Sequence, residues 1–261
     1  MEAARAVGVD QNDDVTRGRT FWYAKLTFKD NAARDKMIQL VSEQAEYGFK
    51  HEHGTLKYAC LTPAENIDDP VMWAMEDYAD GHAIHFHSSA ERMQPVFGYI
   101  GSGVMDGPLQ KTTVRFFEGL EILKPEIVQV NHPIVQIADI DLKAPLSPEE
   151  VKLWSSVVKA ANKEPQILFF GIGLSSTNDT QLIAITAYSG LEALNDSKVK
   201  IKDITKETLA SLEKNSLVSI YWTSWTTNYS KIMPITGRVN IQSLHGIIPL
   251  QHSGKDIPSL G

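Results

Sequence analysis

Apolar residues alternate or run together in short segments along residues 20–120, and amphipathic stretches separate these segments. Aromatic and β-branched side chains dominate the segments, which is the composition typical of strands. After the first segment, apolar residues recur at helical spacing, with Asp30 or Asn31 placed to cap the helix. The predicted strands are TFWYAKLTFK (20–29), GTLKYACL (54–61), VMWAME (71–76) and TTVRFFEGL (112–120), and residues 80–92 form a second predicted helix. The order β-α-β-β-α-β predicts a ferredoxin-like module, an antiparallel sheet with two helices on one face.

The second half of the chain repeats this order of elements. A helix is predicted over 147–162, because Ser147 suits the N-cap, Pro148 the first turn and Glu150 the capping box. The accompanying predictions are strands IVQIADIDL (134–142), QILFFGIGL (166–174), TQLIAITAY (180–188) and LVSIYWTSW (217–225), and a helix over 203–215. Sequence identity between the halves is slight, so the pattern alone indicates a duplication.

These patterns predict an α+β protein of two fused ferredoxin-like modules, at residues 19–125 and 130–230. Residues 1–18 are polar and without periodicity and predict a flexible tail, and residues 231–261 predict a C-terminal extension. A sheet with helices on one face leaves its other face bare, and two such sheets cover each other when they close face to face. We therefore expect the two modules to form an intramolecular barrel.

Composition and charge narrow the classes of function. The chain has 261 residues, of which 43% are hydrophobic and 22% charged, as in ordinary globular proteins. A net charge of −7 without a lysine or arginine run argues against nucleic acid as a partner. No apolar run approaches the roughly 20 residues that span a bilayer, so we expect no membrane partner and a cytoplasmic location. The single cysteine, Cys60, excludes a disulfide within one chain and suits a reducing compartment.

An ordered set of motifs over about residues 20–120 resembles a known family. The segment EHGTLKY (52–58) is similar to the E-x-G-T-L-x-Y start of the second strand in the antibiotic biosynthesis monooxygenase (ABM) family. Asp69-Pro70 matches the loop that follows in the family, Glu76 the end of its third strand, and Tyr78 an aromatic two residues further on. His87, eleven residues beyond Glu76, matches the histidine of the family's second helix.

The resemblance implies a dimeric α+β barrel and chemistry without a cofactor. Several members of the family oxidise phenolic polyketides such as anthrones to quinones with O2 alone. His87 is then the expected catalytic base, assisted by His85 or His82, and Glu76 is a further catalytic candidate that orients a histidine. A histidine suits this role because its ordinary pKa of about 6.5 lies near working pH. Where Glu76 would recur in the second half there is Ala187 or Tyr188, and no histidine follows, so that half is expected to be a structural partner.

The histidine-rich stretch DGHAIHFHSSAE (80–91) allows two other interpretations. The spacing His85-x-His87-x3-Glu91-x6-Gly98 matches most of the first cupin metal motif, but the leading glycine is misplaced and the second motif is missing. On a helix, His82 and His85 share a face and His87 points elsewhere, which does not suit one metal ion. We therefore expect no metal, and the remaining alternative is that the histidines are structural.

Aromatic residues on the predicted strands are candidates for binding a flat substrate. Trp22, Tyr58 and Trp73 could stack on it if their strands turn them toward the cavity, and otherwise they pack in the core. His82 and His53 are placed as further substrate contacts, with His53 near the mouth of the barrel.

The sequence thus predicts a cofactor-independent monooxygenase that oxidises a phenolic or anthrone-like polyketide with O2 in aromatic secondary metabolism. One alternative is a non-oxidative cyclase, dehydratase or isomerase that acts on a polyketide through the same acid–base residues. Others are a non-catalytic binding protein and a cupin-like metalloenzyme. Association into a homodimer stays open.

Overall fold

The computed structural model describes residues 18–63, 68–130 and 133–190, with short further pieces at 192–194, 196, 217–221 and 227–228. Several predictions lie outside these residues. They concern nearly all of the N-terminal tail, the helix over 203–215, the end of the last strand and the C-terminal extension, and they stay predictions.

The N-terminal half contains the predicted strands and helices. Its elements are β1 (Thr20–Thr27), α1 (Asn31–His51), β2 (Thr55–Leu61), β3 (Val71–Tyr78), α2 (Gly81–Ser89), α3 (Gln94–Tyr99) and β4 (Gln110–Leu123), with a 3-10 turn at Glu91–Met93 and a π-helical turn at Ile100–Val104 beside α3. Aspartates cap both longer helices, since Asp30 accepts a hydrogen bond from the Ala33 amide at 2.7 Å and Asp80 accepts one from Ala83 at 2.9 Å. Gly48 lies within α1, which continues three residues beyond it.

The second half repeats this order as far as it is described. Its elements are a 3-10 turn (Pro125–Gln129), β5 (Ile134–Leu142), α4 (Pro148–Lys163), β6 (Ile167–Ser175), β7 (Gln181–Tyr188), β8 (Leu217–Tyr221) and β9 (Thr227–Asn228). The predicted capping box is confirmed, because the Ser147 amide donates to the Glu150 carboxylate at 2.8 Å and the Glu150 amide donates to Ser147 Oγ at 3.3 Å.

The described strands form one antiparallel sheet in the order β2-β3-β1-β4-β6-β7-β5-β8, with β9 also pairing with β5. Each half contributes four neighbouring strands in the same internal order, and the β4–β6 pair joins the halves. The two strands approach closely at Gly173, where an added Cβ would lie 2.3 Å from the Arg115 carbonyl oxygen. A glycine is required there because any side chain would collide with the backbone of the neighbouring strand.

The buried apolar side chains form two hydrophobic cores. Side chains from β1 and β3, such as Tyr23 and Trp73, share one core with Phe169 and Ile185 from β6 and β7. The other core belongs to the second half, where α4 residues such as Trp154 and Val157 pack with strand residues such as Ile167. Since one face of both halves is buried in a common core, the sheet curls around it, and the predicted α+β barrel within one chain is confirmed. Among the described residues, no helix is both long enough and apolar enough to cross a membrane.

Candidate functional site

A cavity of about 70 Å³ lies between the N-terminal sheet and the helices that cover it. The barrel predicted from the sequence would have its chamber between the two sheets. Aromatic and aliphatic side chains fill that space, among them Tyr23, Trp73 and Phe169, whereas the cavity is on the opposite, helix-facing side. Most of its walls are apolar, and its lining includes Trp22, Leu26, Met37, Val41, Met72, Ile84, Met93, Val96, Phe97 and Leu109.

Strand register brings the polar groups of the cavity together. On β3, Glu76 pairs with Trp22 of β1 on one side and with Tyr58 of β2 on the other. Residues opposite each other in an antiparallel pair present their side chains on the same face. Three adjacent strands therefore direct Trp22, Glu76 and Tyr58 into the cavity, and Tyr78, two residues beyond Glu76, joins them.

His87 enters the cavity from α2, and Glu52 fixes its orientation. The Nδ1 atom of His87 lies 2.7 Å from Glu52 Oε2, and the same oxygen accepts a hydrogen bond from Thr55 Oγ1 at 2.8 Å. Arg92 pairs with the other oxygen of Glu52. A carboxylate that is already paired with an arginine acts as an acceptor, so the Nδ1 atom carries the proton and donates it. The lone pair of the imidazole is then on Nε2.

The Nε2 atom of His87 is buried and has no hydrogen-bond partner among the residues that the structure describes. His87 is 3% exposed, and burial lowers the pKa of its imidazole below the ordinary 6.5, although the nearby Glu76 acts in the opposite direction. The ring is therefore neutral near pH 7. Buried polar atoms without a partner are rare in folded proteins, and this one is a proton acceptor on a residue that lines the cavity.

The pKa of Glu76 is shifted in the opposite direction to the pKa of His87. Burial raises the pKa of its carboxyl group, while electrostatic interactions with His87 and Lys111 and hydrogen bonds from the Tyr78 and Tyr58 hydroxyls oppose this rise. The pKa of Tyr78 is also raised, because the phenol is buried beside Glu76. The rings of Tyr58 and Tyr78 lie 5.8 Å and 5.6 Å from the His87 ring. The cavity thus holds a base with a lowered pKa next to an acid with a raised one.

Only some of the residues that the sequence predicts for the site line the cavity. His87, Glu76, Trp22 and Tyr58 line the cavity. Three others do not line it and are exposed, namely His82, His85 and His53. Helical spacing explains the first two, since they lie on the opposite side of α2 from His87.

Trp73 is the remaining member of the proposed set, and it lies on the other face of β3. It packs against Tyr23 with ring centroids 6.0 Å apart in the core shared by the two halves. An odd separation in a strand reverses the face, so Trp73 and Glu76 cannot point to the same side of the sheet.

Sequence reasoning did not assign roles to four residues at the site. Tyr78 and Lys111 line the cavity, and Glu52 and Arg92 hold His87 or its partner. Glu52 and Tyr78 belong to the motifs of the family resemblance, which was the one available signal for them. Lys111 and Arg92 carry no comparable signal, because their positions depend on strand register and on the turn after α2.

The cupin interpretation is wrong for this fold. That motif places its ligands on neighbouring strands, whereas His85 and His87 share one helix, with one side chain exposed and the other buried. Within the described ranges, no three His, Cys, Asp or Glu side chains converge in a way that could hold a metal ion.

The second half carries different residues at the matching positions. The strand pairs Thr20–Tyr78 and Ile134–Tyr188 occupy equivalent places in the two halves, which makes Thr186 the counterpart of Glu76. Ala187, one of the two counterparts expected from the sequence, lies on the other face in the shared core. Burial raises the pKa of Tyr188 to about 12, and Thr186 hydrogen bonds to it. The second half thus has a tyrosine at the position of Tyr78 and a threonine at the position of Glu76.

Comparison with known proteins gives relatives by structure alone. Neither a protein-family model nor a curated protein sequence matches the chain. A crystal structure from Lactobacillus acidophilus NCFM, described as a "putative monooxygenase", superposes with a TM-score of 0.60 at 17% identity, covering 81% of this chain and 92% of that one. A second of the same description, from Fusobacterium nucleatum subsp. nucleatum, gives 0.58 at 13% identity over 81% and 98%. By its fold, the chain is a dimeric-type α+β barrel protein with both modules in one polypeptide.

Proposed function

We propose that the protein is a cofactor-independent monooxygenase that oxidises a phenolic or anthrone-like substrate with O2. The observation that carries this proposal is the unpartnered Nε2 atom of His87 at the wall of a largely apolar cavity. Electron-rich phenols and anthrones react with O2 once they are deprotonated, so such an enzyme needs a base, orientation and exclusion of water.

The proposed reaction begins with transfer of a substrate proton to His87 Nε2. The resulting anion passes one electron to O2, and the radical pair combines to form a carbon–oxygen bond in a hydroperoxide. Loss of water from this hydroperoxide, with the second hydrogen of the same carbon, leaves a carbonyl group. An anthrone CH2 and one O2 thereby give a quinone C=O and one H2O. In this proposal Glu76, whose pKa is raised by burial, donates a proton to the leaving hydroxide.

The size of the cavity limits how the substrate is held. A volume of about 70 Å³ accommodates a few water molecules. The reacting edge of a ring therefore enters near His87 after displacement of wall side chains, and the rest of a multi-ring substrate lies outside the cavity. Trp22 and Tyr58 are the aromatic walls on which that ring would stack.

The test measures O2 consumption by metal-free and flavin-free protein with 1,8-dihydroxyanthrone, above the rate without protein. We expect the His87→Ala variant to lose the protein-dependent rate. His85→Ala is the matched control, because this histidine lies on the same helix and is exposed. A His87→Ala variant as active as the parent would remove the proposed base.

A non-oxidative cyclase, dehydratase or isomerase is the second candidate. It is favoured by the neighbouring groups with opposite pKa shifts, His87 and Glu76, since such pairs serve as base and acid in these reactions. Incubation of the protein with a polyketide substrate under argon separates the two candidates. Product formation that is independent of O2 would favour the second, and binding without turnover in air or argon would favour the non-catalytic alternative.

A further inference from the structure

A larger groove adjoins the cavity on the outer surface of the N-terminal half. It measures about 810 Å³ and runs from β1 across β4 to the turn after β6. Trp22, Ile84, Leu109 and Lys111 form walls of both the cavity and the groove. A molecule with one end in the cavity would therefore extend into this groove.

The charge of the groove is opposite to that of the protein. The whole chain has a net charge of −7, yet no carboxylate occurs in the groove lining that the structure describes, which contains three cations. One of these, Arg19, is already bonded to Asp77 and Glu121. The other two, Lys111 and Arg115, lie on the same face of β4, because their positions in the strand differ by an even number.

Hydroxyl and amide groups complete the groove between and beside these cations. Its polar lining consists of Thr20, Thr112, Thr113, Ser175, Ser176, Thr177 and Gln181. Donors of this kind, next to an arginine and a lysine, bind anionic oxygens by charge-assisted hydrogen bonds. Lys111 stands at the junction with the cavity, where its ammonium group lies 5.0 Å from the centre of the Trp22 ring.

We propose that the substrate is an aromatic acid, with its phenolic ring at the cavity and a carboxylate in the groove against Lys111 and Arg115. The Cα atoms of these two residues are about 13 Å apart, at roughly 3.3 Å per strand residue. A carboxylate on a short arm reaches Lys111, and one on a longer arm reaches Arg115. This inference specifies the substrate class of the proposed oxygenase and rests on that function only for the identity of the reacting ring.

The test compares two probes of nearly the same size and shape, one anionic and one neutral, which are 4-hydroxycinnamate and its primary amide. Their dissociation constants are measured by quenching of tryptophan fluorescence at low and high salt. We expect the acid to bind about tenfold more tightly than the amide at low salt, as charge-assisted contacts imply, and the difference to shrink as salt screens the groove.

Two variants test whether the cations of the groove cause the difference in affinity between acid and amide. We expect Lys111→Gln to bring the two affinities within about threefold of each other, and Arg115→Gln to do so for longer-armed acids compared with their amides. The control is Lys152→Gln, which removes an exposed lysine from α4 in the other half and should retain the preference. Equal affinity for acid and amide in the parent protein, loss of the preference in the control, or no binding of either probe would overturn the inference.

The same experiment separates this inference from the proposed function. A charge preference that depends on Lys111 in a protein that consumes no O2 with any phenol would leave the groove assignment standing and refute the oxygenase. The reverse result, oxidation of neutral anthrones without any preference for acids, would refute the groove assignment alone.

Discussion

The contact between Glu52 and His87 can be tested with the substitution Glu52→Gln, which replaces one carboxylate oxygen with an amide nitrogen. In the parent protein, the Glu52 carboxylate accepts from His87 Nδ1, which leaves Nε2 free to take a proton. In Glu52→Gln, the amide nitrogen can donate to Nδ1, and the imidazole proton then moves to Nε2. The ring would stay in place, but the atom that faces the substrate would be protonated.

The expected effect is large because this tautomer cannot act as a base at Nε2. General base catalysis contributes about 10²- to 10⁴-fold to a rate, which corresponds to about 2.7–5.4 kcal/mol at 1.36 kcal/mol per decade. We expect kcat to decrease by a factor of about 10² to 10⁴, with little change in KM. The substitution also removes the anionic partner of Arg92, whose side chain is 20% exposed. Removing one member of a buried pair costs about 3–5 kcal/mol, and access to water reduces this figure, so we expect a lower Tm as well.

Two measurements separate the effect on the tautomer from the effect on stability. Nitrogen-15 chemical shifts of the imidazole report which ring nitrogen carries the proton, and single-turnover rates below the new Tm report the chemical step. Thr55→Val is the matched control, because it removes another hydrogen bond to Glu52 and leaves the carboxylate in place. A Glu52→Gln variant with the parent tautomer and the parent rate would refute the reasoning.

Three further predictions concern the acid–base behaviour and the folding of the barrel. Because burial lowers the pKa of His87, kcat/KM should decrease only as the pH falls below 6.5, where His87 becomes protonated. A decrease on the acid side with its midpoint at or above pH 6.5 would contradict the role of His87 as the base. Gly173→Ala should destabilise the joint between the halves by about 2 kcal/mol or more, because the added Cβ meets backbone; Gly98→Ala, where the space is open, should not lower Tm. Asp77→Asn should cost about 3–5 kcal/mol in urea unfolding, because it leaves the buried Lys57 without one of its two carboxylates, and unchanged stability would show that this pair contributes little.

The sequence was sufficient for features that depend on local chemistry. Period-two apolar patterns located most strands of the described halves, and the residues Ser147-Pro148 with Glu150 were enough to place the start of α4. Helical geometry also predicted that His87 points away from His82 and His85, although both were expected to assist it. These features follow from backbone periodicity and capping, which act over a few residues.

The composition of the site depended on contacts that local patterns do not contain. Glu52, the C-cap residue of α1, and His87 of α2 are 35 residues apart and meet only through tertiary packing. Every residue of β3 is buried, so its apolar pattern does not show which face carries the cavity. The sequence does show that Trp73 and Glu76 lie on opposite faces of β3, because their separation is odd. Which of the two faces carries the cavity depends on the register with β1.

The covalent joining of the two modules has an evolutionary consequence. When a barrel assembles from two identical chains, every substitution arises twice and both sites must tolerate it. In this chain, a gene change alters one module alone, so the position that carries Glu76 in one module can carry Thr186 in the other. The two modules are thereby free to diverge in sequence while they still share one core.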